Sequence, residues 1–177
     1  MGQIKKIDIH TSHHTHYVIG TGANDPQKMD PNASRETLDH SIMYIFAVAL
    51  EDGSWHNIRS YTRARAKKKS TIKIWRSIKT HEDKKWTKKY HNPNPKKKSF
   101  GAKVIVTLKN GKKVIEQQDR ADAHPYGSRP FKRQNYINKF LTLTENILDK
   151  KESERFLRTV QKLKKLKPGQ LDKLNIE

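Results

Sequence analysis

The sequence predicts an α+β fold in which a small domain with a β-sheet and packed helices is followed by helices alone. Alternating apolar residues typical of strands occur at 4–10 and again at 101–118. Between these segments, apolar residues recur at helical spacing. After Asp122 only helical spacing remains, so the composition predicts one domain over 1–121 and C-terminal helices over 122–177.

The N-terminal part predicts a strand, a loop and a helix. Ile7 and Ile9 flank Asp8, an alternation typical of a strand, and the apolar segment 17–19 is expected to extend that strand or pair with it. Turn-forming residues follow. A helix is then predicted over 34–50, where apolar residues recur every three or four positions.

The middle of the chain predicts short elements and one hairpin. Amphipathic segments are expected at 54–61, 71–78 and 82–90. Within 101–118 the alternating pattern is interrupted by Asn110-Gly111, the preferred pair for a type I′ turn. This pair predicts a β-hairpin.

The C-terminal part predicts two or three amphipathic helices, with Lys167-Pro168-Gly169 separating a last short turn. These helices have little else in the chain on which to pack. They are therefore expected to dock on a body that the 177 residues do not contain.

The composition limits the classes of function. There are no cysteines, which excludes disulfides and thiolate-ligated zinc or iron–sulfur sites within these residues. The longest apolar run, 42–50, is far shorter than the roughly 20 residues that span a bilayer, and the N-terminus lacks the apolar stretch of a signal peptide. A soluble, cytoplasmic protein without a membrane partner is expected.

The net charge of +20 predicts attraction to polyanions. The basic residues are mostly lysines, concentrated between 63 and 98. They indicate either a nucleic-acid-binding module or solvated faces in a lysine-biased protein. The second interpretation is favoured, because Arg and Gly repeats are missing and no RNA-binding aromatic motif occurs in a strand.

Four histidines lie close together near the N-terminus. If the strand continued through them, His10, His14 and His16 would share one face and His13 the other. Three imidazoles can bind zinc or copper, but zinc ligands are rarely so crowded on one strand. A solvated or cleft-facing strand is the favoured interpretation, and no metal is predicted.

Two further groups are candidates for a functional cleft. Arg35 and Asp39 are four residues apart on the predicted helix and can form an ion pair, with His40 beside them. His124 and Arg129 lie in a loop rich in Pro and Gly, where a guanidinium group suits bidentate carboxylate binding. A surface ion pair and a loop histidine bonded to backbone are the structural alternatives.

No standard catalytic motif is present in the sequence. The pair Gly20-x-Gly22 is half of a phosphate-binding pattern, and no Walker motif, nucleophile elbow or His-Glu-x-x-His is found. Composition and spacing alone therefore reach only a soluble, basic α+β protein.

Several segments resemble a known family. They read HHTHYVIGTGANDP at 13–26, NASRETLDHSIMY at 32–44, FGAK at 100–103, ADAHP at 121–125 and RPF at 129–131. In order and spacing they are similar to the C-terminal region of 2-methylcitrate dehydratases of the MmgE/PrpD superfamily. The resemblance covers nearly the whole chain and is least clear between 64 and 98.

The resemblance implies the architecture of a two-domain enzyme. An all-helical domain is built from an upstream part and returns at the C-terminus, with a smaller α+β lid inserted between. Residues from about 2 to 121 would form most of the lid, and those from 122 onward would rejoin the helical domain. Most catalytic residues would belong to the upstream helical domain, so the base and acid remain unassigned, and four substrate-binding candidates remain here: Arg35, His40, His124 and Arg129.

The resemblance also implies a reaction without a cofactor. Members convert 2-methylcitrate to 2-methyl-cis-aconitate in propionate catabolism, within the methylcitrate cycle. The tricarboxylate substrate and the missing helical domain are the implied partners, a homodimer is compatible with the family, and the chain alone is expected to be inactive. A basic nucleic-acid-binding module and another reaction of the superfamily, such as cis-aconitate decarboxylation, are the alternatives.

Overall fold

Four strands form one mixed sheet in the order β2-β1-β3-β4. In the computed structural model, which describes residues 2–176, the strands are β1 (Ile4–Thr11), β2 (Ile78–Glu82), β3 (Ala102–Leu108) and β4 (Lys113–Gln118). β1 is parallel to β2 and antiparallel to β3, and β3 is antiparallel to β4. The predicted α+β class is confirmed.

Helices connect and follow the strands. They are α1 (Arg35–Asp39), α2 (Ile42–Asp52), α3 (Arg63–Ala66), α4 (Lys69–Arg76), α5 (Lys84–Tyr90), α6 (Arg133–Thr144) and α7 (Lys150–Gln161). A π-helical turn occupies Thr15–Ile19, and short 3-10 turns occupy Thr21–Ala23, Pro26–Met29, Arg59–Tyr61, Leu163–Lys165 and Leu171–Leu174. Within residues 2–176, no helix combines the length and the apolar character needed to cross a bilayer.

The chain divides into two compact units, one ending at Ser128 and one beginning at Arg129. The first unit contains the whole sheet and α1 to α5, and the second contains α6 and α7. The predicted division at Asp122 concerns the domains of a larger enzyme, and it stays a prediction.

The core of the first unit lies between one face of the sheet and the helices. Along β1, Ile7 and Ile9 are buried while Lys6, Asp8 and His10 are not, as the period of two requires. The helices α1 to α4 pack their apolar residues on this face. The buried core side chains are Ile7, Ile9, Leu38, Met43, Tyr44, Ala47, Val48, Ala66, Ile74, Trp75 and Ile78.

The helix predicted over 34–50 is divided into α1 and α2. Ser34 caps α1 by accepting a hydrogen bond from the amide of Thr37 at 3.2 Å. Ser41 leaves the helical conformation and caps α2, accepting from the amide of Tyr44 at 3.3 Å. Its hydroxyl also donates to the carbonyl of Lys28 at 2.8 Å, so a tertiary hydrogen bond is formed at the interruption that periodicity did not predict.

The expected strand at 17–19 is wrong, because this segment is helical. The Ser12 hydroxyl accepts from the amide of Thr15 at 3.3 Å, and the Ser12 carbonyl accepts from the amide of His16 at 2.9 Å. These local hydrogen bonds begin a helical turn directly after β1. The short strand β2 was not predicted, since its five residues carry a polar majority.

The predicted hairpin is confirmed, but its turn type is wrong. Gly111 has a φ of 84°, whereas Asn110 has none in the left-handed region, which a type I′ turn requires at both residues. The amide of Leu108 donates to the carbonyl of Lys112 at 2.8 Å and closes a loop longer than two residues.

A nearly buried carboxylate joins α2 to α3 and α4. Glu51 lies 2.8 Å from the guanidinium of Arg65 and accepts from the hydroxyl of Thr71 at 2.6 Å. Burial opposes ionisation of Glu51, but hydrogen bonds from Ser70, Thr71, Arg65 and Lys68 outweigh it and lower its pKa to about 2. The network therefore needs the charged form of Glu51.

We expect Ser41→Ala to lower the free energy of unfolding by about 2 kcal/mol, because it removes a helix cap and a buried hydrogen bond together. Urea unfolding followed by circular dichroism measures the change. Ser34→Ala removes only the exposed cap of a short helix and should cost less than about 1 kcal/mol. Equal losses in the two variants would contradict the role of the bond to Lys28.

We expect Glu51→Gln to lower stability at neutral pH by up to about 3 kcal/mol. Because the folded-state pKa lies below the ordinary 4.5, this contribution is complete above pH 4.5 and is lost as the pH falls towards 2. Unfolding measured across this range should show the variant and the wild type converging. The exposed control Glu116→Gln should show no such convergence.

Candidate functional site

Polar side chains collect on the outer face of β1 and β2. His10 and His81 are register partners, and their rings stack with centroids 5.0 Å apart. Nε2 of His81 lies 2.9 Å from Asp8, which also accepts from Lys6 at 2.8 Å. Burial opposes ionisation of Asp8, but these two partners outweigh it and hold its pKa below the ordinary value.

A second polar group lies where the two parallel strands end. Nδ1 of His13 is 3.1 Å from Glu82, and the same carboxylate accepts from the hydroxyl of Thr87 at 2.9 Å. The Thr87 hydroxyl in turn accepts from the amide of His13 at 2.8 Å, which closes the ring of contacts. The hydrogen bonds from His13 and Thr87 lower the pKa of Glu82.

His16 and the loop after it are tied to the neighbouring strand. Nδ1 of His16 lies 2.7 Å from the hydroxyl of Thr80, and the amides of Thr21 and Thr80 each donate to the other's hydroxyl, at 2.9 and 3.0 Å. Burial lowers the pKa of His16, with the nearby His81 and His13 acting in the same direction. A neutral imidazole is thus favoured at this position.

The two glycines at 20 and 22 serve close packing. A Cβ on Gly20 would lie 2.4 Å from the Thr80 hydroxyl and 2.7 Å from the carbonyl of His16. A Cβ on Gly22 would lie 2.5 Å from the His16 ring. Glycine at both positions therefore lets the loop pack closely against the imidazole and the strand. This packing explains the two glycines without a phosphate ligand.

The four N-terminal histidines do not share a strand face. β1 ends at Thr11, so His13, His14 and His16 belong to the segment that turns into the helical turn. His13 contacts Glu82, His16 contacts Thr80, and His14 stacks on Tyr90 at 5.2 Å. Among residues 2–176, no three His, Asp or Glu side chains are grouped so that they could hold a metal ion.

The predicted Arg35–Asp39 ion pair is replaced by contacts with one tyrosine. The guanidinium of Arg35 lies 5.2 Å from the centroid of the Tyr61 ring, and the Tyr61 hydroxyl donates to Asp39. Burial and the Asp39 carboxylate raise the pKa of Tyr61. The Tyr61 side chain therefore contacts both groups, and among residues 2–176 no ion pair joins Arg35 to Asp39, although the charge of Arg35 acts on the neighbouring Glu36.

His40 and His124 are held in opposite tautomers. Nδ1 of His40 is 2.8 Å from the carbonyl of Glu36, which can only accept, so Nδ1 carries the proton and Nε2 has a lone pair when the ring is neutral. Nδ1 of His124 accepts from the amide of Tyr126 at 3.0 Å, so its neutral ring carries the proton on Nε2. At Nε2, the His40 ring can therefore accept a proton and the His124 ring can donate a hydrogen bond.

The candidates are spread over both units. Arg35 begins α1 and His40 follows its end, while His124 lies in the turn after β4, and no hydrogen bond, ion pair or ring contact joins these three within the described residues. Arg129 is the first residue of the second unit and is exposed. Their role in substrate binding stays a prediction.

Sequence reasoning missed the contribution of β2. Thr80, His81 and Glu82 provide the partners of three N-terminal histidines, and they follow one another directly in the chain. The sequence pattern of β2 is the buried Ile78 followed by polar residues, with Thr80 and Glu82 on either side of His81. It was too short and too polar to indicate a strand.

An apolar groove of about 780 Å³ lies between α2 and the sheet of the first unit. Its wall on α2 is formed by Ile42, Phe46 and Leu50, and its floor includes Val104 and Val106. Among residues 2–176, Arg120 is the one cationic residue that lines the groove, and Glu116 would repel an anion. The groove thus suits apolar side chains and does not suit a tricarboxylate.

A comparison with known families adds one finding. The family model described as MmgE/PrpD C-terminal domain matches residues 1–165 of the 177. The matched range includes the whole sheet, the polar clusters of β1 and β2, three of the four predicted substrate-binding residues in the first unit, and Arg129 in the second.

We expect Gly20→Ala to destabilise the first unit by about 1–3 kcal/mol, because the added methyl group overlaps a hydroxyl and a backbone carbonyl. Thermal unfolding measures the loss. Gly2→Ala is the matched control, since a Cβ there meets nothing within 4 Å. Unchanged thermal midpoints in both variants would show that the loop does not pack as closely as described.

Proposed function

The chain belongs to the family of MmgE/PrpD C-terminal domains, and from this premise we propose that it forms the lid of a hydro-lyase that dehydrates 2-methylcitrate. Members of this family are typically lyases, dehydratases among them. The family match over residues 1–165 is the observation on which the proposal rests. The segment GTGANDP at 20–26 favours the methylcitrate branch by resemblance.

The reaction needs both a base and an acid. A proton leaves the carbon beside a carboxylate, and the hydroxyl on the neighbouring carbon leaves as water once it is protonated. Nε2 of His40 has the lone pair that accepts a proton, and the Nε2–H of His124 can donate a hydrogen bond to the leaving oxygen. These tautomers support a role for both residues beside the substrate.

The substrate is a trianion and needs cationic partners. Arg35 carries a charge that is not used by Asp39, and a guanidinium group binds a carboxylate in a bidentate fork. We infer that Arg35 binds a carboxylate of 2-methylcitrate. The apolar groove takes no part in this binding.

The proposal includes a helical domain outside these residues. Within residues 129–176, no hydrophobic side chain is buried, and the buried side chains are Glu152 and Ser153. Exposed apolar residues on α6 and α7 and after them include Leu141, Leu143, Val160 and Leu163. We propose that these helices pack on the family's helical domain, which would supply the remaining reactive groups.

The proposal is tested by reconstitution. The purified chain is assayed with 2-methylcitrate alone and after mixing with a separately produced helical domain of a 2-methylcitrate dehydratase, and the new conjugated double bond is followed by ultraviolet absorbance. We expect no turnover by the chain alone and turnover by the mixture. His40→Gln and His124→Asn should each lower the rate of the mixture about 100-fold or more.

The same assay includes a control and can contradict the proposal. His91→Gln, which changes an exposed histidine outside the candidate set, should leave the rate unchanged. Turnover by the chain alone would refute the need for a helical domain. A mixture that releases carbon dioxide from cis-aconitate and leaves 2-methylcitrate intact would identify a decarboxylase of the same superfamily instead.

A further inference from the structure

The segment 84–98 of the first unit is strongly basic. It contains seven lysines and no acidic residue. Lys89 is paired with Asp119, and the other six are exposed: Lys84, Lys85, Lys88, Lys96, Lys97 and Lys98. The charge is therefore concentrated on a short length of chain and is mostly not neutralised by neighbours.

The loop that holds the last three lysines has a fixed backbone. The guanidinium of Arg120 donates to the carbonyls of Lys98, at 3.2 Å, and of Lys96. The amides of Lys97 and Lys98 donate to the carbonyl of Asn94 at 2.9 and 2.8 Å. A fixed backbone lowers the entropy lost when charged side chains bind a partner.

Aromatic rings from three separate segments meet beside this loop. The rings of His14 and Tyr90 stack at 5.2 Å, and Tyr90 contacts Phe100 edge to face at 4.9 Å. Phe100 is 65% exposed, which is unusual for a phenylalanine and leaves ring surface open to a ligand. The ammonium of Lys98 lies 5.8 Å from the Phe100 centroid and 5.9 Å from that of Tyr90.

We propose that these lysines and rings, which we call the lysine–aromatic surface, bind single-stranded nucleic acid. Lysines along a loop and a short helix can follow a phosphate backbone, and an exposed ring can stack with a base. Sequence reasoning disfavoured nucleic acid because no aromatic motif occurs in one strand. The rings are instead brought together by tertiary structure, from the segment after β1, from α5 and from the segment that leads into β3.

The same observations discriminate against two other polyanionic partners. A membrane surface is best held when several apolar side chains enter the lipid, but the loop at 92–98 contains only Asn, Pro and Lys around the single ring of Phe100. An acidic protein would use the lysines but would not require an open ring. The proposal is independent of the hydro-lyase activity.

The test uses fluorescence anisotropy with a labelled oligouridylate of about 12 nucleotides, titrated with the full chain between about 50 and 200 mM salt. We expect binding whose affinity falls with salt. Replacing Lys96, Lys97 and Lys98 together by Gln should make the slope of log K against log salt shallower by about 2, since each phosphate contact contributes about 0.7. Phe100→Ala should weaken binding roughly 5- to 150-fold and leave the slope unchanged.

The matched control replaces Lys162, Lys164 and Lys165, which are exposed in the second unit, by Gln. This control should retain the wild-type affinity and slope apart from a small effect of net charge. Equal losses in the two triple variants would overturn the proposal, because the binding would then be diffuse. Preference for a duplex of the same length, or binding to phosphatidylserine vesicles without binding to the oligonucleotide, would also overturn it.

Discussion

The arrangement of the first unit depends on one backbone carbonyl. The oxygen of Lys28 accepts from the Ser41 hydroxyl at 2.8 Å and from the indole of Trp75 at 3.1 Å, and both side chains are fully buried. The ammonium of Lys28 donates to the carbonyl of His40 at 3.0 Å. Because buried polar groups are costly when unpaired, these bonds fix the loop before α1, the start of α2 and the position of α4 together.

This constraint also sets the position of His40. α1 ends at Asp39, two residues before the interruption at Ser41, and His40 caps α1 and bonds to the carbonyl of Glu36 through Nδ1. The chemistry proposed for this residue therefore follows from a packing requirement on its neighbour, as is common where a scaffold orients a reactive group.

Acidic and basic side chains differ in how far they are paired within the protein. Carboxylates such as Glu51, Asp8 and Glu82 are engaged by specific partners, and their pKa values lie below the ordinary value. Most lysines, in contrast, are exposed and account for much of the net charge of +20. These carboxylates thus stabilise the fold, whereas the exposed lysines remain available to solvent or to an anionic partner.

The sequence by itself determined the α+β class, the first strand, the hairpin around Asn110-Gly111 and the helices after it, because alternation, helical spacing and turn chemistry are local properties. It also determined the family, through residues such as those at 13–26 and 32–44. Tertiary structure decided the break at Ser41, the helical turn after β1 and the short strand β2. It also decided the contacts between segments that are separate in the chain. His13 and Glu82, for example, become neighbours only when these segments pack, and so do Tyr90 and Phe100.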